Sequence, residues 1–221
     1  MTVFVYDTFT DTNSTSLLSH TGETGATWTY IFGAVPGTHP TINNNKLQHT
    51  PGSIFNVYAA SGTPPSADYS VEADIVYVNT NNYGSIEAGV CARLYSGTNT
   101  GYAFGFGGGT WYISRCTSGG GLHPASVPAG TYTAGDPVTL RIAVSGTGAT
   151  VNVKGYVNDV LTLEWNDTDV ARITNAGNAG VKMSGANYVT WDFDTLTASD
   201  LSAEPLSSVK TYPPFFTFMR R

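Results

Sequence analysis

Glu72 and Asp74 stand two residues apart in an alternating run, Tyr-Ser-Val-Glu-Ala-Asp-Ile-Val-Tyr-Val. Side chains on a β-strand alternate sides, so both acids share one face while Val71, Ala73, Ile75 and Tyr77 share the other. Two carboxylates on one rigid strand suit acid–base or nucleophilic work on a glycosidic bond, and they suit equally the holding of sugar hydroxyls without cleavage. A second run, Ser-Ile-Glu-Ala-Gly-Val-Cys-Ala-Arg-Leu, sets Glu87, Gly89, Cys91 and Arg93 against Ile86, Ala88, Val90, Ala92 and Leu94. If residues 79–84 turn the chain back, the runs pair antiparallel, with a dry side and a side bearing Glu72, Asp74, Glu87 and Arg93. Tyr112 joins them as a stacking face, provided that Trp111 and Ile113 point inward. The glycan-contacting set expected is therefore Glu72, Asp74, Glu87, Arg93 and Tyr112. The competing reading is a solvated strand face whose acids bond to their neighbours and whose arginine neutralises them.

Other chemistries find less support. Histidines at 20, 39, 49 and 123 lack zinc-like spacing. No Gly-x-Ser-x-Gly elbow supports a serine nucleophile, and Gly107–Gly109 lacks the lysine and strand-to-helix context of a phosphate loop, which leaves it a hairpin turn.

The elements that must position these residues read as short strands. They fall at residues 3–9, 28–31, 41–49, 53–60, 69–78, 85–94, 101–106, 110–116, 137–145, 149–157, 160–165, 180–183 and 190–198, with Asn158-Asp159 as a two-residue hairpin turn and the last two runs as a closing pair. A short helical turn fits residues 16–20. The segment 117–135, rich in Gly, Ser and Pro, reads as a loop. About twelve strands near ten residues apart, without a convincing helix, predict an all-β fold: a two-sheet antiparallel sandwich or jelly roll.

Composition agrees. Of 221 residues only 12% are charged, with Gly, Thr, Asn, Ser and Tyr in their place. A formal charge of −6 with ten Lys and Arg argues against nucleic acid as a partner. No apolar run approaches the roughly 20 residues needed to cross a bilayer as a helix, which argues against membrane insertion. An acid at Asp7 comes too early for a signal peptide. Cys91 and Cys116 would have one strand between them in a simple meander, roughly 10 Å apart and beyond disulfide reach; their oxidation state stays open.

Read in order, fragments along residues 3–201 resemble the concanavalin A-like lectin/glucanase jelly roll (LamG-like), in the form found in bacteriophage structural proteins. They are Asp7-Thr-Phe9, Leu17-Leu-Ser-His-Thr21, Gly25-Ala-Thr-Trp28, Ile42-Asn-Asn-Asn-Lys-Leu47, Tyr69-Ser-Val-Glu-Ala-Asp74, Ala88-Gly-Val-Cys-Ala-Arg93, Val138-Thr-Leu-Arg-Ile-Ala-Val144, Thr150-Val-Asn-Val-Lys-Gly-Tyr156 and Trp191-Asp-Phe-Asp-Thr-Leu196. The resemblance implies the fold, glycan contact and a virion setting. Hydrolases of this fold carry a further acid two or three residues beyond the second, where this chain has Val76 and Tyr77, so no catalytic residue and no enzyme is expected. No cofactor is required; calcium is the one to consider, because first and last strands lie side by side in this fold and would bring Asp7, Asp11, Asp192 and Asp194 together, with Asp167-Thr-Asp169 as a second candidate.

Residues 202–221 fall outside the resemblance. Pro213-Pro214 favours an extended path, and Phe215, Phe216, Phe218 and Met219, following Tyr212, are costly to leave in water. The expected organisation is a sandwich over 1–201 and a C-terminal assembly arm over 202–221. The function expected is a non-enzymatic bacteriophage virion protein, located in the particle and joined to other virion proteins or to copies of itself, that contacts surface glycans. A free carbohydrate-binding module is the alternative, and a β-glucan-type glycoside hydrolase the third reading.

Overall fold

Period-two alternation makes these segments strands, and the way their apolar sides are covered decides the architecture. The computed structural model describes residues 2–33, 39–49, 53–77, 87–117, 120–130, 132–133, 135–185 and 191–201. Residues 202–221, and with them the arm residues Tyr212 to Met219, lie outside the described residues.

Sixteen strands are described: β1 (Val3–Asp7), β2 (Thr15–Ser16), β3 (Trp28–Gly33), β4 (Thr41–Ile42), β5 (Leu47–Gln48), β6 (Ser53–Ala60), β7 (Tyr69–Tyr77), β8 (Glu87–Tyr95), β9 (Thr100–Gly107), β10 (Thr110–Thr117), β11 (Gly120–Pro128), β12 (Pro137–Ser145), β13 (Val151–Val157), β14 (Val160–Asp167), β15 (Asn178–Gly185) and β16 (Trp191–Asp200). The expected helical turn is a 3-10 turn at Leu17–Ser19, capped by the Ser16 hydroxyl, which accepts from the Leu18 amide. One sheet runs β14-β13-β12-β7-β16-β5-β4-β2, with β1 also paired to β16; the other runs β11-β10-β9-β8-β15-β6-β3. Every pairing is antiparallel. The two-sheet antiparallel sandwich is therefore the fold that the strand pattern predicts.

Its connections differ from expectation in four places. β7 and β8 are not a hydrogen-bonded pair: β7 lies between β12 and β16, and β8 between β9 and β15. As a hairpin the two apolar sides would lie in one sheet and need other strands for a cover. Placed in opposite sheets, Val71, Ala73 and Ile75 join Ala88, Val90 and Ala92 in one buried cluster. The closing pair divides in the same way, with β15 in the seven-stranded sheet and β16 in the other. The run 41–49 is two short strands around a tight turn, in which Asn44 and Asn45 take positive φ and the amides of Asn43 and Lys46 each donate to the other's carbonyl. Finally, 117–135 contains the edge strand β11, held to β10 by its backbone ladder. Residues Gly121 to Pro124 are exposed, and Ala125 and Val127 pack against the core only partly buried, so the alternation that would betray the strand is weak, and Pro124 is tolerated because the strand is an edge.

The Asn158-Asp159 turn has φ of 50° and 62°, the left-handed pair that a two-residue hairpin needs. Between the sheets, Phe106, Trp111, Tyr132 and Trp191 pack edge to face with centroids 5.3–6.3 Å apart, save for a tilted Trp111–Trp191 pair at 6.5 Å. Gly155 on β13 faces the ring of Phe104, where an added Cβ would come within 2.3 Å of a ring carbon. Overpacking of this kind costs about 1–3 kcal/mol. Gly155→Ala is expected to lower the unfolding free energy by that much, read as a lower denaturant midpoint at unchanged m-value, and Phe104→Leu is expected to cost less in its presence than alone, as a double-mutant cycle would read.

Candidate ligand-binding face

The outer side of the nine-stranded sheet is built by register. Period two brings Arg141, Ala143 and Ser145 of β12 to one face, and Asn152, Lys154 and Tyr156 of β13 likewise. The ladder sets Arg141 opposite both Tyr156 and Glu72, Ala143 opposite Lys154 and Ser145 opposite Asn152, with Glu164 and Asn166 of β14 completing the rows. The Arg141 guanidinium lies 3.9 Å from the centroid of the Tyr156 ring, 3.7 Å from Glu72 and 3.8 Å from Asp159. Asn152 Nδ2 donates to Glu164 Oε1 and Asn166 Oδ1, both at 2.8 Å, and Lys154 Nζ stands 4.0 Å from Glu164. Asp74 accepts from the hydroxyls of Thr139 at 2.7 Å and Thr195 at 3.0 Å. Burial pushes the Glu72 carboxyl up, with Arg141 opposing and Asp159 and Asp74 adding to the rise. A depression of about 410 Å³ opens here, lined by Asp68, Ala143, Ser145, Asn152, Lys154, Tyr156 and Leu201. Short side chains at Ala143 and Ser145, between longer ones, make room for it.

Of the five residues expected to meet on one face, only Glu72 and Asp74 do. Glu87 begins β8 in the seven-stranded sheet, and Tyr112 on β10 belongs to that sheet too. Trp111 and Ile113 do point into the core, as supposed, but this turns Tyr112 to the far side of the sandwich. There it is nearly buried, 5.0 Å from the His123 ring and 4.9 Å from Lys182 Nζ, beside a smaller hollow of about 220 Å³.

Arg93 is on neither outer face. Its φ of 53°, at a register shift between Ala92 and Tyr95, takes it off the alternation and turns it inward. The side chain is fully buried. It donates to the carbonyls of Ala67 at 2.9 Å, Ile173 at 2.5 Å and Gly146 at 3.0 Å, and to Asp68 Oδ1 at 3.3 Å, while its backbone amide donates to the Tyr69 hydroxyl.

The acids considered for calcium are likewise dispersed. β1 and β16 do lie side by side. Asp7, however, is buried around His20 and Trp28: it accepts from the Phe9 amide at 2.7 Å, from Trp28 Nε1 at 2.8 Å and from His20 Nε2 at 3.0 Å. Asp11 meets the other ring nitrogen of His20 at 2.9 Å. Asp192 accepts from Gln48, and Asp194 faces Lys46 at 3.5 Å. Asp167 and Asp169 are held by Arg115 at 3.0 and 3.5 Å. In each place a protein cation or donor stands where an ion would, and among the described residues no group of three or more His, Cys, Asp or Glu is placed to hold a metal. Cys91 and Cys116 are buried thiols that form no disulfide, with β9 between their strands as expected.

No family model and no curated protein sequence matches the chain. Solved structures do. The exoplasmic/lumenal domain of VIP36, in a form bound to Ca²⁺ and Man2, superposes with a TM-score of 0.55 at 12% identity, over 94% of this chain and 97% of that one. The fold is the concanavalin A-like jelly roll. The Emp46p carbohydrate recognition domain, in its potassium-bound form, gives 0.54 at 10% identity over 85% and 96%. The carbohydrate binding module CBM66 from Bacillus subtilis gives 0.52 at 17% identity over 78% and 92%. Identities this low speak to fold alone.

Sequence reasoning missed Asp68, Arg141, Asn152, Lys154 and Tyr156 as neighbours. The signal was present, since residues 152, 154 and 156 share a face in any strand. What was absent was the knowledge that β12 and β13 extend the face of β7.

The bridged histidine carries a pH signature. Burial alone pushes the His20 imidazole down, but its bonds to Asp11 and Asp7 and their charges outweigh this and raise it. A raised histidine stabilises fully below its unfolded value near ~6.5 and loses that contribution as pH climbs through the higher folded value. His49, pushed down to about 4 by burial, acts on the other side and costs stability as pH falls below ~6.5. Between pH ~6.5 and ~9, the melting temperature is expected to fall more for the native chain than for His20→Gln, as read by calorimetry.

Proposed function

We propose that this chain is a carbohydrate-binding module that holds a short glycan segment on the outer face of its nine-stranded sheet and does not cleave it. The observation that carries the reading is the depression beside Tyr156, in which planar polar groups and an aromatic ring converge. Sugars are held by such groups bonding hydroxyls and by ring faces packing on C–H surfaces. Its volume, about 410 Å³, falls in the range of pockets that take small ligands. Support of another kind comes from the jelly-roll structures to which the chain is similar, two of which are described as carbohydrate binding or recognition domains.

Hydrolysis is the weaker reading. The strand that bears Glu72 and Asp74 continues with Val76 and Tyr77, and Glu87 lies in the other sheet. Both oxygens of Asp74 already accept threonine hydroxyls. The virion role expected from the sequence has no counterpart among the structures named above, which favour the free-module alternative.

The test is glycan-array screening of the whole chain, followed by titration calorimetry with the best oligosaccharide. Binding is expected, with Tyr156→Ala weakening it by about tenfold, the worth of one stacked ring with its polar partners. No release of reducing ends is expected on prolonged incubation. Absence of binding to every arrayed glycan would sink the reading.

A further inference from the structure

Asp68 is the carboxylate at the edge of the depression, and it is held from below. Its Oδ1 accepts from Arg93 Nη2 at 3.3 Å and from the Gly146 amide at 2.9 Å, while its side chain remains 47% exposed. Both described bonds use the same oxygen, which leaves Oδ2 to a ligand hydroxyl. Arg93 is itself immobilised by the carbonyls of Ala67, Ile173 and Gly146. A buried guanidinium with four acceptors is thus a fixed fork on which a partly exposed acid is set.

The charges around the depression restrict what can enter. Carboxylates at Asp68, Glu72, Asp74, Asp159 and Glu164 outnumber the cations Arg93, Arg141 and Lys154, and each cation is within 4.0 Å of a carboxylate. Like charges brought together at an interface cost several kcal/mol, so sulfated, sialylated or uronate-rich chains are repelled.

Resting on the glycan-binding reading, we infer that Arg93 is a positioning residue that presents Asp68 Oδ2 to the hydroxyls of an uncharged oligosaccharide, and that the surrounding carboxylates exclude polyanionic glycans. Arg93 acts on the ligand only through Asp68.

The test uses the full chain on an array that carries neutral hexose and N-acetylhexosamine oligomers beside uronate, sialylated and sulfated ones. Neutral oligomers are expected to bind, with affinity insensitive to ionic strength. Asp68→Asn is expected to weaken binding about tenfold, the worth of one charge-assisted hydrogen bond. Arg93→Lys is expected to weaken it in the native background and to have no further effect beside Asp68→Asn, although it lowers melting temperature in both; a purely structural role would leave the affinity of the folded protein unchanged. Ala143→Leu, which fills the floor without touching Arg93, is expected to abolish binding and so provides a check that does not depend on the arginine variant folding. Preferential binding of acidic glycans, or additive effects of Arg93→Lys and Asp68→Asn, would overturn this inference and leave the module reading standing. No binding to any glycan would overturn both.

Discussion

One buried guanidinium ties the two sheets together. Arg93 belongs to the seven-stranded sheet, but its bonds run to Asp68 just before β7, to Gly146 just after β12 and to Ile173 in the segment between β14 and β15. Removing a charge from water costs several kcal/mol unless every donor finds a partner, and breaking such a cluster by deleting one member is far more damaging than never having built it. The loops at this end of the sandwich are therefore constrained together. Tyr69 adds to the arrangement: its hydroxyl receives the Arg93 amide and donates to the carbonyls of Gly177 and Asn178, and burial drives its phenol well above the ordinary tyrosine range.

That constraint explains why the candidate face has a defined edge. The middle of the face is a β-surface with short side chains, which by itself is shallow. Asp68 and Leu201 form one border, and the Leu201 amide donates to the Asp68 carbonyl at 3.2 Å. The other border, Lys154 and Tyr156, is stiffened by Glu164 and Arg141. Polar groups already bonded to one another lose little freedom when a ligand arrives, and that lowers the cost of binding.

A second cluster of rings and acids forms a separate anchor near the N-terminus. Asp7, His20, Asp11 and Trp28 lie within the first thirty residues, and the two acids among them were considered for calcium together with Asp192 and Asp194. A histidine fixed between two carboxylates answers the same electrostatic need as a cation would. The same holds for Asp167 and Arg115.

The sequence by itself determined that the chain is all-β. Alternation at period two fixed which residues of β7, β12, β13 and, as far as Ala92, β8 turn inward, and Gly-rich or Asn-Asp pairs marked the hairpins at 107–109 and 158–159. All of this is local chemistry, set by sterics within a few residues. Tertiary structure alone decided which strands became neighbours, because two amphipathic strands bury the same apolar side whether they pair edge to edge or meet face to face. Glu72 and Tyr112 were thereby parted to opposite sides of the sandwich, and Arg141 and Tyr156 were brought beside Glu72. A single left-handed residue at 93 took its arginine out of the pattern entirely, and Asp68, unremarkable in the sequence, became the acid it holds.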